Sequence, residues 1–146
     1  MILGVDATSS TLQYGFVSEL NNQIFQQKNH ANVEQLPQYL SELLDNNDAK
    51  LCGLLTVLGP GSYTGIRLSL SSLKMLQMVY QVPLIGKSLF ECYMDVNHHN
   101  LDQLTVLSSN SRKGFFNVQL FQSNRLSYHH VSSLLQITHD QFKVFI

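Results

Sequence analysis

Gly59-Pro60-Gly61-Ser62-Tyr63-Thr64-Gly65-Ile66-Arg67 is the stretch on which the fold turns. It follows a Leu, Thr and Val run from Gly53 to Leu58, which reads as a buried parallel strand. It opens a helical pattern from about Thr64 to Tyr80. Strand, sharp glycine turn and helix place the chain in the α/β class. Backbone N–H groups at such a helix start attract an anion, helped by the helix dipole. A phosphate cradle here would use Gly59, Gly61, Ser62, Thr64 and Gly65, with Asp6 and Thr8 from the end of the first strand. The spacing departs from the common cradles. A P-loop has G-x-x-x-x-G-K-[ST]; Gly59 and Gly65 are one residue further apart, and no Lys follows. In a G-x-G-x-x-G loop the third Gly comes one residue earlier, and the acid expected after the next strand is replaced by Gly86-Lys87-Ser88. The alternative is a tight turn that lets the helix pack closely on the sheet.

Toward the N-terminus, Ile2 to Asp6 reads as a buried strand ending in an acid. Leu12, Tyr14 and Phe16 alternate with Gln13, Gly15 and Val17, which predicts a second strand. Asn21-Asn22 is a turn signal, and Gln23 to Gln27 reads as a third strand, closing an antiparallel meander. From Val33 to Leu44 the period changes to helical: Val33, Leu36, Leu40, Leu43 and Leu44 share a face, with Pro37 one turn in. Beyond the long helix, Val82 to Ile85 is a short strand, and Ser88 can cap a helix running to about Val96. After about Asp102 the plan restarts. Leu104 to Ser108, the turn Asn110-Ser111-Arg112-Lys113-Gly114, and the alternation Phe116, Val118, Leu120 repeat the opening segment, with Asn110 opposite Asp6. Leu126 to Val131 would be the third strand of this second copy, and the chain stops at Phe142-Lys143-Val144-Phe145-Ile146 in a strand-like run. The expected organisation is a first lobe over 1–102 and a truncated second lobe over 103–146.

The helix after the glycine turn has two apolar arcs. Ile66, Leu70, Leu73, Leu76 and Tyr80 form one, and Leu68, Met75 and Val79 the other, with Met78 beside a thin polar stripe of Arg67 and Lys74. One arc suffices to cover a sheet. The other either packs on the Val33–Leu44 helix or meets a partner, for which the pliable Met75 and Met78 are suited.

Composition removes several classes of function. Over 146 residues the net charge is -1, and charged residues are only 13%, about half the usual share. Such a chain has no broad electrostatic footprint for nucleic-acid phosphates; Arg67, Lys74, Arg112 and Lys113 would make at most a modest patch. No apolar run approaches the ~18 residues of a membrane span, and the N-terminus lacks a secretory pattern. Cys52 and Cys92 make no disulfide framework and read as buried thiols in a reducing cytoplasm.

Together these motifs resemble the TsaB (YeaZ) family. G-P-G-S-Y-T-G-I-R at 59–67 is the specific string, followed after the helix by V-P-L-I-G-K-S-L at 82–89. Supporting pieces are I-L-G-V-D-A-T-S-S at 2–10, H-A-N-V-E-Q-L-P-Q-Y-L-S-E-L-L at 30–44, and S-S-N-S-R-K-G-F-F-N-V-Q-L-F at 108–121, which is similar to the family's D-A-R-x-G-E-V-Y segment. The pieces come in family order along nearly the whole chain. The resemblance implies an actin-like, RNase-H-like lobe of the sugar kinase–actin ATPase superfamily, with a mixed sheet. It implies a non-catalytic subunit of the cytoplasmic machinery that makes threonylcarbamoyladenosine in tRNA. Such a subunit binds a TsaD-like catalytic subunit, is joined by a TsaE-like ATPase, meets tRNA only indirectly, and forms a homodimer when its partner is absent. Carried onto this chain, the interface would be Leu36, Leu40 and Leu43 with Arg67, Leu68, Ser71, Ser72, Met75, Met78 and Val79. Two departures stand out: the acid of D-A-R is Asn110, and the following Glu position is Phe115, while Arg112 and Gly114 remain.

The residues offer little for catalysis. Asp6 beside Thr8, Ser9, Ser10 and Thr11 could serve magnesium and phosphate, making ATP and magnesium the cofactors of a rival small actin-like ATPase. One carboxylate is a poor magnesium site, and the alternative is a cap on its own turn. His30 and Glu34 are four apart without a second His, and the neighbours His98-His99 and His129-His130 would point to opposite sides of a strand, so no metal site is expected. Ser62 does not sit in a G-x-S-x-G elbow, so a protease reading has no support. A self-associating remnant is the third reading.

Overall fold

The structure, a computed structural model, describes residues 1–17, 23–29, 32–46, 50–97, 104–110, 115–124, 127–130 and 135–138. The turn at Asn21-Asn22, His30, His98-His99, Arg112 and Lys113, the expected boundary at 102/103 and the terminal Phe142–Ile146 run lie outside the described residues. The chain divides into two compact units, Met1–Ser88 and Leu89–Ile146.

The first unit is a mixed sheet with helices. Its strands are β1 (Ile2–Asp6), β2 (Thr11–Val17), β3 (Gln23–Asn29), β4 (Gly53–Val57) and β5 (Leu84–Lys87), in the order β3-β2-β1-β4-β5. The expected meander is present: β2 is antiparallel to β1 and to β3, with Leu3 opposite Phe16 and Val5 opposite Tyr14. β4 and β5 run parallel to β1, as the continuous apolar run of β4 requires of a strand buried between neighbours. The seam between β1 and β4 starts at the first residue. The Met1 ammonium donates to the Lys50 carbonyl at 2.8 Å, and the Cys52 N–H donates to the Met1 carbonyl at 2.8 Å.

Helix α1 (Leu36–Asp45) is entered through a 3-10 turn, Val33–Gln35, so the helical stretch starts later than its apolar period predicts. Pro37 explains the place: near a helix start its missing N–H costs nothing, and Asn32 accepts the Glu34 N–H to begin the turn. Leu36, Leu40 and Leu43 pack against Leu3, Val5, Leu12, Tyr14, Phe16 and Leu54. These three leucines, expected at a partner interface, are therefore core: Leu36 is 0% exposed and Leu40 2%. The physical reason is that α1 is short and has one apolar stripe, which the core shared with the sheet and with Leu73 takes up.

The second unit holds α3 (Leu89–Asn97) and a four-stranded antiparallel sheet of β6 (Leu104–Asn110), β7 (Phe115–Asn124), β8 (Ser127–His130) and β9 (Leu135–Thr138). β7 pairs β6 on one side; on the other, its two halves pair β9 and β8. The expected repeat shows in the ladders: β6 ends at Asn110 as β1 ends at Asp6, each followed by an antiparallel return strand. β9 was not legible, because the alternation of Leu135, Gln136, Ile137 and Thr138 is only four residues long, too short to set a period. Phe90 and Met94, one turn apart on α3, bury against Phe121 and Leu107, so this helix packs with the second sheet.

Candidate functional site

Helix α2 (Tyr63–Tyr80) brings the two candidate sites together: the glycine turn at its start and its outward face. The turn is closed by backbone. The Ser62 N–H donates to the Thr8 carbonyl at 2.7 Å, and Ser62 Oγ accepts the Gly65 N–H at 3.2 Å as the helix cap. Gly59 has φ +101°, a conformation that L side chains rarely adopt, and the Gly59–Pro60 peptide is cis. Gly61 and Gly65 are needed for close approach. A Cβ on Gly65 would overlap the Ala7 carbonyl oxygen, and one on Gly61 would overlap that of Thr8 and lie 2.6 Å from Thr8 Cβ. The β1–β2 turn thus lies directly against the start of α2. Asp6 Oδ1 accepts both the Thr8 N–H at 2.8 Å and the Thr8 hydroxyl at 2.7 Å, capping this turn. Of the residues expected to cradle a phosphate, Gly59 and Gly65 are buried in the packing, Ser62 and Asp6 cap backbone, and Thr64 is exposed. The geometry is that of a packing turn.

The same seam turns the buried face of α2 partly off the arc expected of it, with Leu73 common to both. Its buried residues are Gly65, Ser69, Ser72 and Leu73, three of them small; of the expected arc, Leu73 is fully buried, Ile66, Leu70 and Leu76 are half-buried and Tyr80 is exposed. Ser69 is 0% exposed, its Oγ donating to the Ile66 carbonyl at 3.1 Å. Small side chains let the helix axis come close to β4 and β1, which gains contact there. Ser72, expected at the interface, is buried on this side and faces the fold. The sequence signal was present as small residues at positions 65, 69 and 72.

What remains outward is the other arc. Leu68 is half-buried, while Met75 is 68% exposed, Met78 79% and Val79 74%. Arg67 and Ser71 are exposed beside them. Residues 68, 75 and 79 follow spacings of seven and four and so form one line along the helix. Near the helix start a cavity of about 280 Å³ opens between α2 and the 3-10 turn, lined by Glu34, Tyr63, Thr64, Arg67, Leu68 and Ser71. The Arg67 guanidinium lies 5.4 Å from the centroid of the Tyr63 ring. Sequence reasoning missed Glu34 and Tyr63 here, since only the fold sets the 3-10 turn beside the helix.

A second cavity, of about 290 Å³, lies between β3 and α1, lined by Tyr14, Gln26, Lys28, Tyr39, Glu42, Leu43 and Asn46. Tyr14 and Tyr39 stack with centroids 5.9 Å apart, and Lys28 Nζ sits 3.6 Å above the Tyr39 ring. Burial, then the Glu42 carboxylate and then Tyr39, raise the Tyr14 hydroxyl above its ordinary 10.0. The fold holds that proton more tightly than the unfolded chain does. The stability this contributes is full below pH 10 and is lost as pH rises through the folded value. Tyr14→Phe should remove part of the alkaline fall in unfolding free energy, read as the difference between wild-type and variant urea melts on either side of pH 10.

Cys52, expected to be buried, is exposed: it lies just ahead of β4, where its Sγ is 3.2 Å from the Met1 carbonyl oxygen it can donate to. His129 and His130 are consecutive in β8. Among the described residues no three His, Cys, Asp or Glu side chains gather as a metal site, and no described helix is long and apolar enough to cross a membrane.

No protein-family model matches the sequence, and no curated protein matches it significantly. Solved structures do. YeaZ from Pseudomonas aeruginosa superposes with a TM-score of 0.72 over 96% of this chain and 68% of its own, at 14% identity. A crystal structure described as an uncharacterized protein with similarity to peptidase YEAZ from Pseudomonas aeruginosa gives 0.69 over 94% of this chain and 66% of its own, at 16% identity. The chain thus spans about two thirds of the length of these structures. This chain therefore shares the fold of YeaZ over nearly all its length.

Proposed function

We propose that the chain is a scaffold subunit of the machinery that makes threonylcarbamoyladenosine in tRNA, presenting α2 to a TsaD-like catalytic subunit in the cytoplasm. The observation that carries this reading is the outward apolar line of α2, exposed at Met75, Met78 and Val79 and half-buried at Leu68, on a helix whose opposite face is already packed. An apolar line of this kind on a small domain marks a binding surface. The YeaZ fold and the G-P-G-S-Y-T-G-I-R string support the choice of partner. A non-catalytic role is supported by what the reactive groups are doing: Asp6 caps its own turn, and Ser62 caps α2. A TsaE-like ATPase would join as a third component, tRNA would be met through the partner, and two copies would pair when the partner is absent.

The test is size-exclusion chromatography with light scattering on the chain alone and mixed with the TsaD-like protein of the same organism. A mixed complex of one copy each is expected. Two unmixed peaks at micromolar concentration would remove the reading.

A further inference from the structure

The charges around the apolar line say what kind of surface fits it. α2 carries two cations, Arg67 and Lys74, and no carboxylate along its whole length. Both are exposed and stand seven residues apart, two turns along the same side of the helix. The Arg67 guanidinium lies over the exposed Tyr63 ring, within cation–π reach of it. One acid, Glu34, lines the groove at the helix start. The surface therefore offers an apolar strip with two positive charges and one negative charge at its margin.

We infer that the occupant of this face is an apolar ridge bordered by carboxylates on a different protein, and that a second copy of this chain fits it less well. This rests on the scaffold reading above and specifies the partner's chemistry. An isologous pair that meets along α2 brings the same set twice, four cations from the two helices against the two Glu34 carboxylates, so a positive surplus stays along the paired helices. Like charges brought together across an interface oppose it, whereas carboxylates facing Arg67 and Lys74 steer encounter and fix register. Rim charges act mainly on the rate of association and are screened by salt.

The experiment measures association of the wild-type chain, and of Arg67→Gln with Lys74→Gln, with the TsaD-like protein at low and high salt. Self-association of each is followed by light scattering. Both side chains are exposed, so the variant should keep the wild-type circular dichroism and melt. For the wild type, the mixed complex should form more slowly as salt rises, and self-association should strengthen. The variant should associate with the partner roughly tenfold more slowly at low salt, with a flatter salt dependence. A mixed complex indifferent to salt and to both substitutions overturns this inference and leaves the scaffold reading standing. A wild-type self-dimer that weakens with salt, as Glu34 pairing with Arg67 of a second copy would produce, also overturns it. Absence of any mixed complex overturns both.

Discussion

Gly65→Ala is expected to cost more than ~4 kcal/mol and to leave most of the chain unfolded, the largest effect of any single methyl group considered. The added carbon would occupy the position of the Ala7 carbonyl oxygen. Neither side of that contact has a side chain that can swing away, so either α2 lifts from the sheet or the β1–β2 turn is displaced. Lifting α2 would expose Leu73 and open Ser69, both fully buried. Gly61→Ala should act in the same direction, through Thr8. Gly4→Ala is the control. It adds the same carbon in β1, where nothing lies within 4 Å, and should change stability by no more than ~0.5 kcal/mol. Urea melts of the three variants decide the matter: a Gly65→Ala melt that overlies wild type would mean that the turn does not hold the helix.

Leu68→Glu with Met75→Glu should abolish the complex with the TsaD-like protein while leaving the fold in place. Both residues are on the outward line, Met75 fully so and Leu68 at the wall of the groove. Placing two carboxylates at the centre of an apolar contact removes them from water among apolar groups, at a cost the contact does not repay. Central interface residues commonly carry ~2 kcal/mol or more each, so affinity should fall by about a hundredfold or beyond. Stability should move by less than ~1 kcal/mol. Titration of the partner with wild type and variant, beside a melt of each, separates the two effects. A variant that binds as the wild type does would sink the assignment of this face. A substitution at Leu40 would be a poor substitute for this test, since it disturbs the core and not the surface.

The elements that announced themselves did so by period. The β1–β2–β3 meander was legible from the alternation of Leu12, Tyr14 and Phe16, and the parallel β4 from an unbroken apolar run. The glycine turn was legible as a turn, and both of its readings could be stated. Choosing between them needed the fold, because what fills the space beside Gly61 and Gly65 is backbone from a distant part of the chain. The buried face of α2 was legible only in part, for a related reason. Hydrophobicity marked Leu73 on the buried side, whereas Gly65, Ser69 and Ser72, which share that side and let the helix come close, have little hydrophobic weight. The leucines of α1 were assigned outward on resemblance, although their own spacing pointed to the core. Glu34 and Tyr63 carry no local signal for their groove, which exists only because a 3-10 turn delays α1.

The contact of α2 with the β1–β2 turn also sets how force travels through the first unit. Side-chain contacts are compliant, since a rotamer can change and absorb a displacement. Carbonyl against Cα has no such slack. Whatever seats itself on α2 therefore bears on β1 and the Asp6 turn as on one stiff piece. The helix is a handle rather than a cushion, and any adjustment of fit must come from the partner or from the unbranched side chains of Met75 and Met78.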